Sequence, residues 1–167
     1  QRQMCIRDRG VQYFQNLTLG DEVSFLGPLG RFVIEDDPEE ESIALIGTGS
    51  GVAPLRSMMI DQLKNKEDER PMVLYWGLRH AHHMVWQDEF ARWSKQFENF
   101  QFHPTLSQAE KEWSLCRGRV TNCLQVHDLL PNAGYYLCGG KAMIDDVKKL
   151  LMERGVDAKH IHHEKFF

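Results

Sequence analysis

Four short apolar runs punctuate the chain, at residues 42–46, 72–76, 100–106 and 135–138, and each stops at Gly, Pro or polar residues. Runs of this length bounded by turn residues predict buried strands. Between them the hydrophobic residues return at helical spacing. Leu55, Met58, Met59 and Leu63 share one face, as do Trp86, Phe90, Trp93 and Phe97, and then Met143, Val147, Leu150 and Leu151. Gly155 stands where a helix C-cap belongs, and residues 159–163 predict a fifth strand. This alternation implies an α/β fold: a five-stranded parallel sheet with helices on both faces.

The N-terminal part reads differently. "LTLGDEVSFLGPLGRFVIED", residues 17–36, predicts two short strands joined by a Gly-Pro turn, with Val23, Phe25, Phe32 and Ile34 as the apolar positions. "DDPEEE", residues 36–41, reads as a solvated acidic linker and the best domain boundary. Residues 1–9 show neither period and are left unassigned.

Composition narrows the function classes. The chain has 167 residues, 42% of them hydrophobic, and a formal net charge of −4. It lacks the concentrated basic face that nucleic acid requires. No apolar run approaches the roughly 18 residues of a membrane span, and no signal-peptide pattern is present. The four cysteines, Cys5, Cys116, Cys123 and Cys138, form no CxxC pair, which predicts reduced thiols and a cytoplasmic location.

The sharpest local feature is "GTGSGVAP", residues 47–54, between the first strand and the first helix. Gly47, Gly49 and Gly51 let backbone N–H groups approach a phosphate, and Thr48 and Ser50 fill the turn between them. Pro54 in the first helical turn gives up only an N–H that would be unpaired there, and its fixed φ suits a helix start. The turn is expected to hold an anion, with a pyrophosphate the best fit, at the positive end of the helix.

Four segments in order, "GPLGRF" (27–32), "GTGSGVAP", "YLCGGKAM" (136–143) and "HHEKFF" (162–167), resemble the ferredoxin–NADP reductase family. That resemblance implies a remnant of an antiparallel FAD-binding β-barrel over residues 10–37 and an NAD(P)H-binding domain over 42–167. It implies a role as the NAD(P)H-binding part of an FAD-dependent oxidoreductase, with hydride passing from NAD(P)H to FAD. Electrons would continue to an acceptor such as ferredoxin, an oxygenase component or a quinone. The family's Arg-x-Tyr-Ser flavin stretch has no counterpart here, and "GVQYF" carries Gln12 where the family often has Ser. The chain is therefore expected to be a truncated reductase whose FAD is held mainly by upstream residues.

Cys138 closes the fourth run, at the carboxyl edge of the sheet where such folds place ligands. By resemblance it borders the nicotinamide, with Gly139 and Gly140 leaving room for the ring and Met143 in the same motif. Glu164 and Phe166 match the family's Glu-x-aromatic ending, which implies a carboxylate assisting proton or charge balance and a ring, of Phe166 or of Phe167 one residue on, covering the flavin. At Ser107–Gln108 the family's NADPH users commonly have Ser-Arg, a fork for the 2′-phosphate. Glutamine suits a ribose hydroxyl instead, so NADH is favoured, with Lys111 or Arg79 the alternative source of charge for a 2′-phosphate.

Two histidine groups, His80, His82 and His83, and His160, His162 and His163, suggest a metal. They would lie three strand spacings apart, roughly 14 Å at ~4.8 Å per strand, and each lacks a fourth ligand, so no metal is expected. The Trp86–Phe97 stripe reads as core, and "CRGRVTNCL", residues 116–124, as the lead into a helix. Two rival functions remain open. A flavin-independent dehydrogenase would end its second strand on an acidic residue, where this chain has Arg79. A non-catalytic nucleotide-binding subunit would bind nucleotide without reducing a flavin.

Overall fold

A computed structural model describes residues 9–27 and 30–166 of the chain, and the side chains of residues 12–27 and 30–165. The chain divides into two compact units, residues 1–31 and 32–167.

In the first unit a helix, α1 (Arg9–Gln15), is followed by a turn in which the Thr18 backbone N–H and Oγ1 both donate to Asp21 Oδ2, at 2.7 and 2.9 Å. The two strands expected over 17–36 do not form among the described residues; that stretch is irregular. A hairpin by itself buries too little to be stable, and Leu19, Phe25 and Leu26 are largely exposed. The Gly-Pro turn at Pro28 and most of the unassigned N-terminal segment lie outside the described residues.

The second unit is a three-layer α/β sandwich. Its strands are β1 (Ser42–Thr48), β2 (Met72–Leu78), β3 (Phe100–Leu106), β4 (Cys116–Arg117), β5 (Ala133–Gly140) and β6 (Ile161–Phe166). Every pairing is parallel, in the order β4-β3-β2-β1-β5-β6. The five expected strands are present; the two-residue β4 is an addition, too short to leave a hydrophobic run. The second and fifth expected strands, β2 and β6, are indeed three spacings apart.

Alternate residues of each strand feed opposite faces. Ile43, Leu45, Met72, Leu74, Trp76 and Tyr136 pack under α2 (Val52–Ile60) and α3 (Gln87–Gln96). Ala44, Ile46, Val73, Tyr75, Tyr135 and Leu137 pack under α4 (Val120–Val126) and α5 (Lys141–Glu153). Phe90 and Trp93 are buried in α3, so the aromatic stripe is core. Arg56 lies 5.1 Å from the Trp86 ring and pairs with Glu89 at 2.8 Å. Helix α5 ends as expected. Gly155 has φ +88°, its N–H donates to the Met152 carbonyl, and that of Val156 donates to Leu151, a Schellman closure.

The acidic stretch 36–41 is only partly the solvated linker its charge suggests. Asp36, Glu39 and Glu41 are exposed, but Glu40 is buried. Tyr136 Oη donates to Glu40 Oε2 at 2.6 Å and accepts from the Glu35 N–H at 3.0 Å. His162 Nε2 lies 2.7 Å from Glu40 Oε1, and Arg70 donates to the Glu40 carbonyl at 2.9 Å. A carboxylate with this many partners tolerates burial. Burial together with the Glu40 bond raises the Tyr136 phenol well above its ordinary range, so it stays a donor. Residues 32–41 are thereby tied to β5 and β6, with Phe32 and Ile34 against the core.

Glu40 fits only because β5 has a glycine beneath it: a Cβ at Gly134 would collide with the Glu40 carboxylate. Gly134→Ala is expected to cost about 1–3 kcal/mol through overpacking. Adding Glu40→Ala, which removes the obstruction, should make the double variant lose less than the sum of the two single losses. Urea denaturation of the four proteins measures both effects.

Candidate functional site

At the carboxyl edge of the sheet, three connections meet. The first leaves β1 through a 3₁₀ turn, Gly49–Gly51, and enters α2. Gly49 takes φ +57°, a left-handed conformation that glycine adopts at little cost. Its carbonyl accepts a 3.0 Å bond from the indole N–H of the buried Trp76, so β2 clamps the turn from the side. Gly51 meets a harder constraint. A Cβ there would run into the Cys138 carbonyl oxygen and come within 2.7 Å of its carbon. The turn after β1 therefore rests directly on the main chain at the end of β5.

Helix α2 starts at Val52 with Gly51 as its cap, which offers no side-chain oxygen to the first-turn N–H groups. Helix α5 starts the same way behind Gly140. Two helix N-termini without side-chain caps thus stand beside each other at one edge, a setting for anions. Pro54 is the third residue of α2, where its missing N–H breaks no intrahelical bond.

Several of the expected residues converge here. Cys138 and Glu164 are register partners across β5 and β6. The Cys138 thiol is fully buried, and burial first, then the Glu164 charge, pushes it up to about 12. Gly139 packs tightly, since a Cβ would lie 2.5 Å from both Thr48 Oγ1 and Met143 Cε. Gly140 faces open space. Gly47 backs onto Leu55, and Ser50 is exposed. The backbone of Phe166 pairs with Gly140, while its side chain lies outside the described residues.

Ser107 and Gln108 lie on the same edge but three strand intervals from Cys138, roughly 14 Å away by strand spacing. Both are at the surface. The N–H groups of Ser107 and Gln108 donate to the carbonyls of Leu78 and Arg79 at 2.9 Å, zipping the ends of β2 and β3 together. Beyond them Arg117 donates to the carbonyls of Glu110, Lys111 and Trp113 at 2.9, 3.0 and 2.5 Å. This arginine shapes the loop after Gln108 rather than standing free. Trp76 and Arg117 were not anticipated. A tryptophan late in a strand reads as core, and only the fold turns its N–H toward Gly49.

The burial of Cys138 has a chemical consequence. Thiolate is the reactive form, so the folded chain should alkylate at Cys138 far more slowly than the urea-unfolded chain between pH 7 and 9. The folded rate should rise only as pH approaches the raised value. Iodoacetamide labelling with site mapping by mass spectrometry measures this.

The comparisons with known proteins agree with this geometry. Residues 45–149 match the model of the oxidoreductase NAD-binding domain family. The chain is 35% identical over 161 residues to the F subunit of the Na(+)-translocating NADH-quinone reductase of Shewanella denitrificans, and 32% identical to that of Haemophilus influenzae. Each match covers 92% of this chain but 39% of the relative. Among solved structures, the cytochrome b5 reductase domain of Ulva prolifera nitrate reductase superposes with a TM-score of 0.79 at 20% identity, over 95% of this chain and 64% of that one. The Amycolatopsis cytochrome P450 reductase GcoB does so with a TM-score of 0.71 at 28% identity, over 84% and 42%. With its parallel sheet, its glycine turn seated on β5 and a family match across both, the chain belongs to the oxidoreductase NAD-binding domain family.

Proposed function

We propose that the chain is the NADH-binding part of a flavin-dependent reductase, holding the dinucleotide across the carboxyl edge of the sheet from Gln108 to Cys138. The observation that carries this reading is the contact of Gly51 with the Cys138 main chain. It leaves no room for a side chain between the turn that would hold a pyrophosphate and the strand end that would meet the nicotinamide.

The residues present fit the group. The turn Gly47–Thr48–Gly49–Ser50–Gly51, closed by Pro54, presents uncapped first-turn N–H groups to a diphosphate. The interval of roughly 14 Å between Gln108 and Cys138 suits an extended dinucleotide, adenosine at β3 and pyridine at β5. Gly140, open above its backbone, leaves space for a planar ring. Glu164 lies opposite Cys138 and supplies charge balance beside that ring. Phe166, paired through its backbone with Gly140, is placed in sequence to cover it. Bound nicotinamide and FAD supply the hydride chemistry; the protein's share is position and exclusion of water. The fully buried thiol of Cys138, neutral at physiological pH, acts as a packing surface and weak donor, not as a nucleophile.

Three features favour NADH. Gln108 carries no charge for a 2′-phosphate. Arg117, the nearest arginine past β3, is occupied by loop carbonyls. The two bacterial relatives are named as parts of NADH-quinone reductases. Those relatives are longer, and the quinone and the further subunits that their name implies come to this chain by similarity. We place residues 10–37 at the end of an FAD-binding barrel. The electrons leaving the flavin go to a quinone or to a protein carrier such as a ferredoxin or oxygenase component, on the cytoplasmic side. Among the described residues no helix is long and apolar enough to cross a membrane.

Titration of the isotope-labelled chain with NADH should shift the amide resonances of Gly49, Gly51 and Val52, and NADPH should do so only at higher concentration. Gln108→Arg should strengthen NADPH binding by about tenfold, the size of one charge-assisted contact. Gly51→Val should abolish both responses. Unmoved amides with either coenzyme would end this reading. Joined to an upstream flavin barrel, the chain should bleach the flavin faster with NADH than with NADPH, and Cys138→Ala should slow that bleaching.

A further inference from the structure

Outside the residues assigned to the nucleotide, two groups of three potential metal donors occur among the described residues: Asp37, Glu40 and His160, and Cys116, Cys123 and His127. The first is already committed to packing, because Glu40 is bonded to Tyr136 and His162. The donor atoms of the second are bonded to no described side chain outside its own three members, and the group lies on the opposite edge of the sheet.

We propose that Cys116, Cys123 and His127 form a binding site for a borderline-soft divalent ion of the zinc class. Cys116 comes from β4, Cys123 from α4, and His127 is the residue that ends α4. Cys123 and His127 stand four apart, so one face of the helix end presents both donors. Their ligand atoms and Cys116 Sγ all lie within 4.8 Å of one another. Cys116 Sγ is 3.4 Å from His127 Nε2. Around a tetrahedral zinc with Zn–S near 2.3 Å and Zn–N near 2.0 Å, the sulfur-to-nitrogen edge is about 3.5 Å. The observed separation is close to that edge.

The donor chemistry selects the ion. Two thiols and an imidazole suit zinc-like ions and not magnesium or calcium, which take oxygen. The His127 ring is held in place by the His103 ring, with centroids 3.9 Å apart, so its orientation is set before any ion arrives. Cys123 is buried while Cys116 and His127 are partly exposed, so a fourth position faces solvent and a water can fill it. On binding, each thiol releases its proton to solvent, the imidazole contributes a lone pair, and no electrons are transferred.

A disulfide is the competing chemistry for the same sulfurs, which stand close enough for one to join them; an ion would hold them apart at the roughly 3.8 Å of two sulfurs on one tetrahedral zinc. The disulfide would make no use of His127, which nonetheless completes the triangle. The ion would also serve the fold. Strand β4 pairs with β3 over just two residues, Thr105–Cys116 and Leu106–Arg117, and anchoring it to α4 would steady Arg117 and the loop it organises after Gln108.

The test uses the full chain in oxygen-free buffer with a phosphine reductant, titrated with Cd²⁺ and separately with Zn²⁺. Expected are retention of a single ion per chain through gel filtration, cadmium–thiolate ultraviolet absorption, and a raised melting temperature. Cys116→Ser and His127→Ala, at partly exposed positions and checked for folding by circular dichroism, should each weaken retention by about 100-fold. Cys5→Ser and His82→Ala should leave retention and absorption unchanged. No ion retained by the reduced chain would overturn the proposal. So would undiminished absorption in folded Cys116→Ser, or a Cys116–Cys123 disulfide that persists in the reductant.

Discussion

The arrangement of the nucleotide edge depends on one steric fact: Gly51 lies against the main chain of Cys138 with no space for a β-carbon. Two strands that are neighbours in the sheet but far apart in sequence are brought to contact at their carboxyl ends. Trp76 holds the same turn from β2 through its bond to the Gly49 carbonyl. Three adjacent strands therefore position a single turn, and the N-termini of α2 and α5 stand together as a result. In a close-packed interior such a contact is stiff, because neither backbone can yield without breaking ladder hydrogen bonds.

That stiffness explains how the edge divides its work. The ends of β2 and β3, zipped at Leu78, Arg79, Ser107 and Gln108, form a polar rim suited to hydroxyl recognition. The ends of β5 and β6 set a buried thiol opposite an exposed carboxylate.

Glu40 plays the corresponding part at the other end of β5. A buried carboxylate is unfavourable unless its oxygens are all engaged, and here Tyr136, His162 and the space above Gly134 provide for it. The network ties residues 32–41 to the sheet, so the second unit begins at Phe32, ahead of the acidic stretch that its charge marks as a boundary. Charge density alone could not reveal this, since a run of acidic residues with one member buried has the same composition as a fully solvated run.

Local patterning was enough to give the strand and helix succession, the opposite-face alternation of the core, the place of the glycine turn and the Schellman end of α5. All of these rest on periodicity and on backbone preferences that act within a few residues. The tolerance of Pro54 was legible for the same reason, since first-turn N–H groups lack partners in any helix. Only the assembled fold settled which glycine is needed for close approach, that Trp76, a core residue, also holds the turn after β1, that Arg117 serves a loop rather than a ligand, and that Cys116, Cys123 and His127 meet. It also settled that residues 17–36 stay irregular among those described, because strands form only when a neighbouring strand accepts their hydrogen bonds. Each of these outcomes depends on atoms far apart in the chain, and no local pattern of hydrophobic and polar residues records such distances.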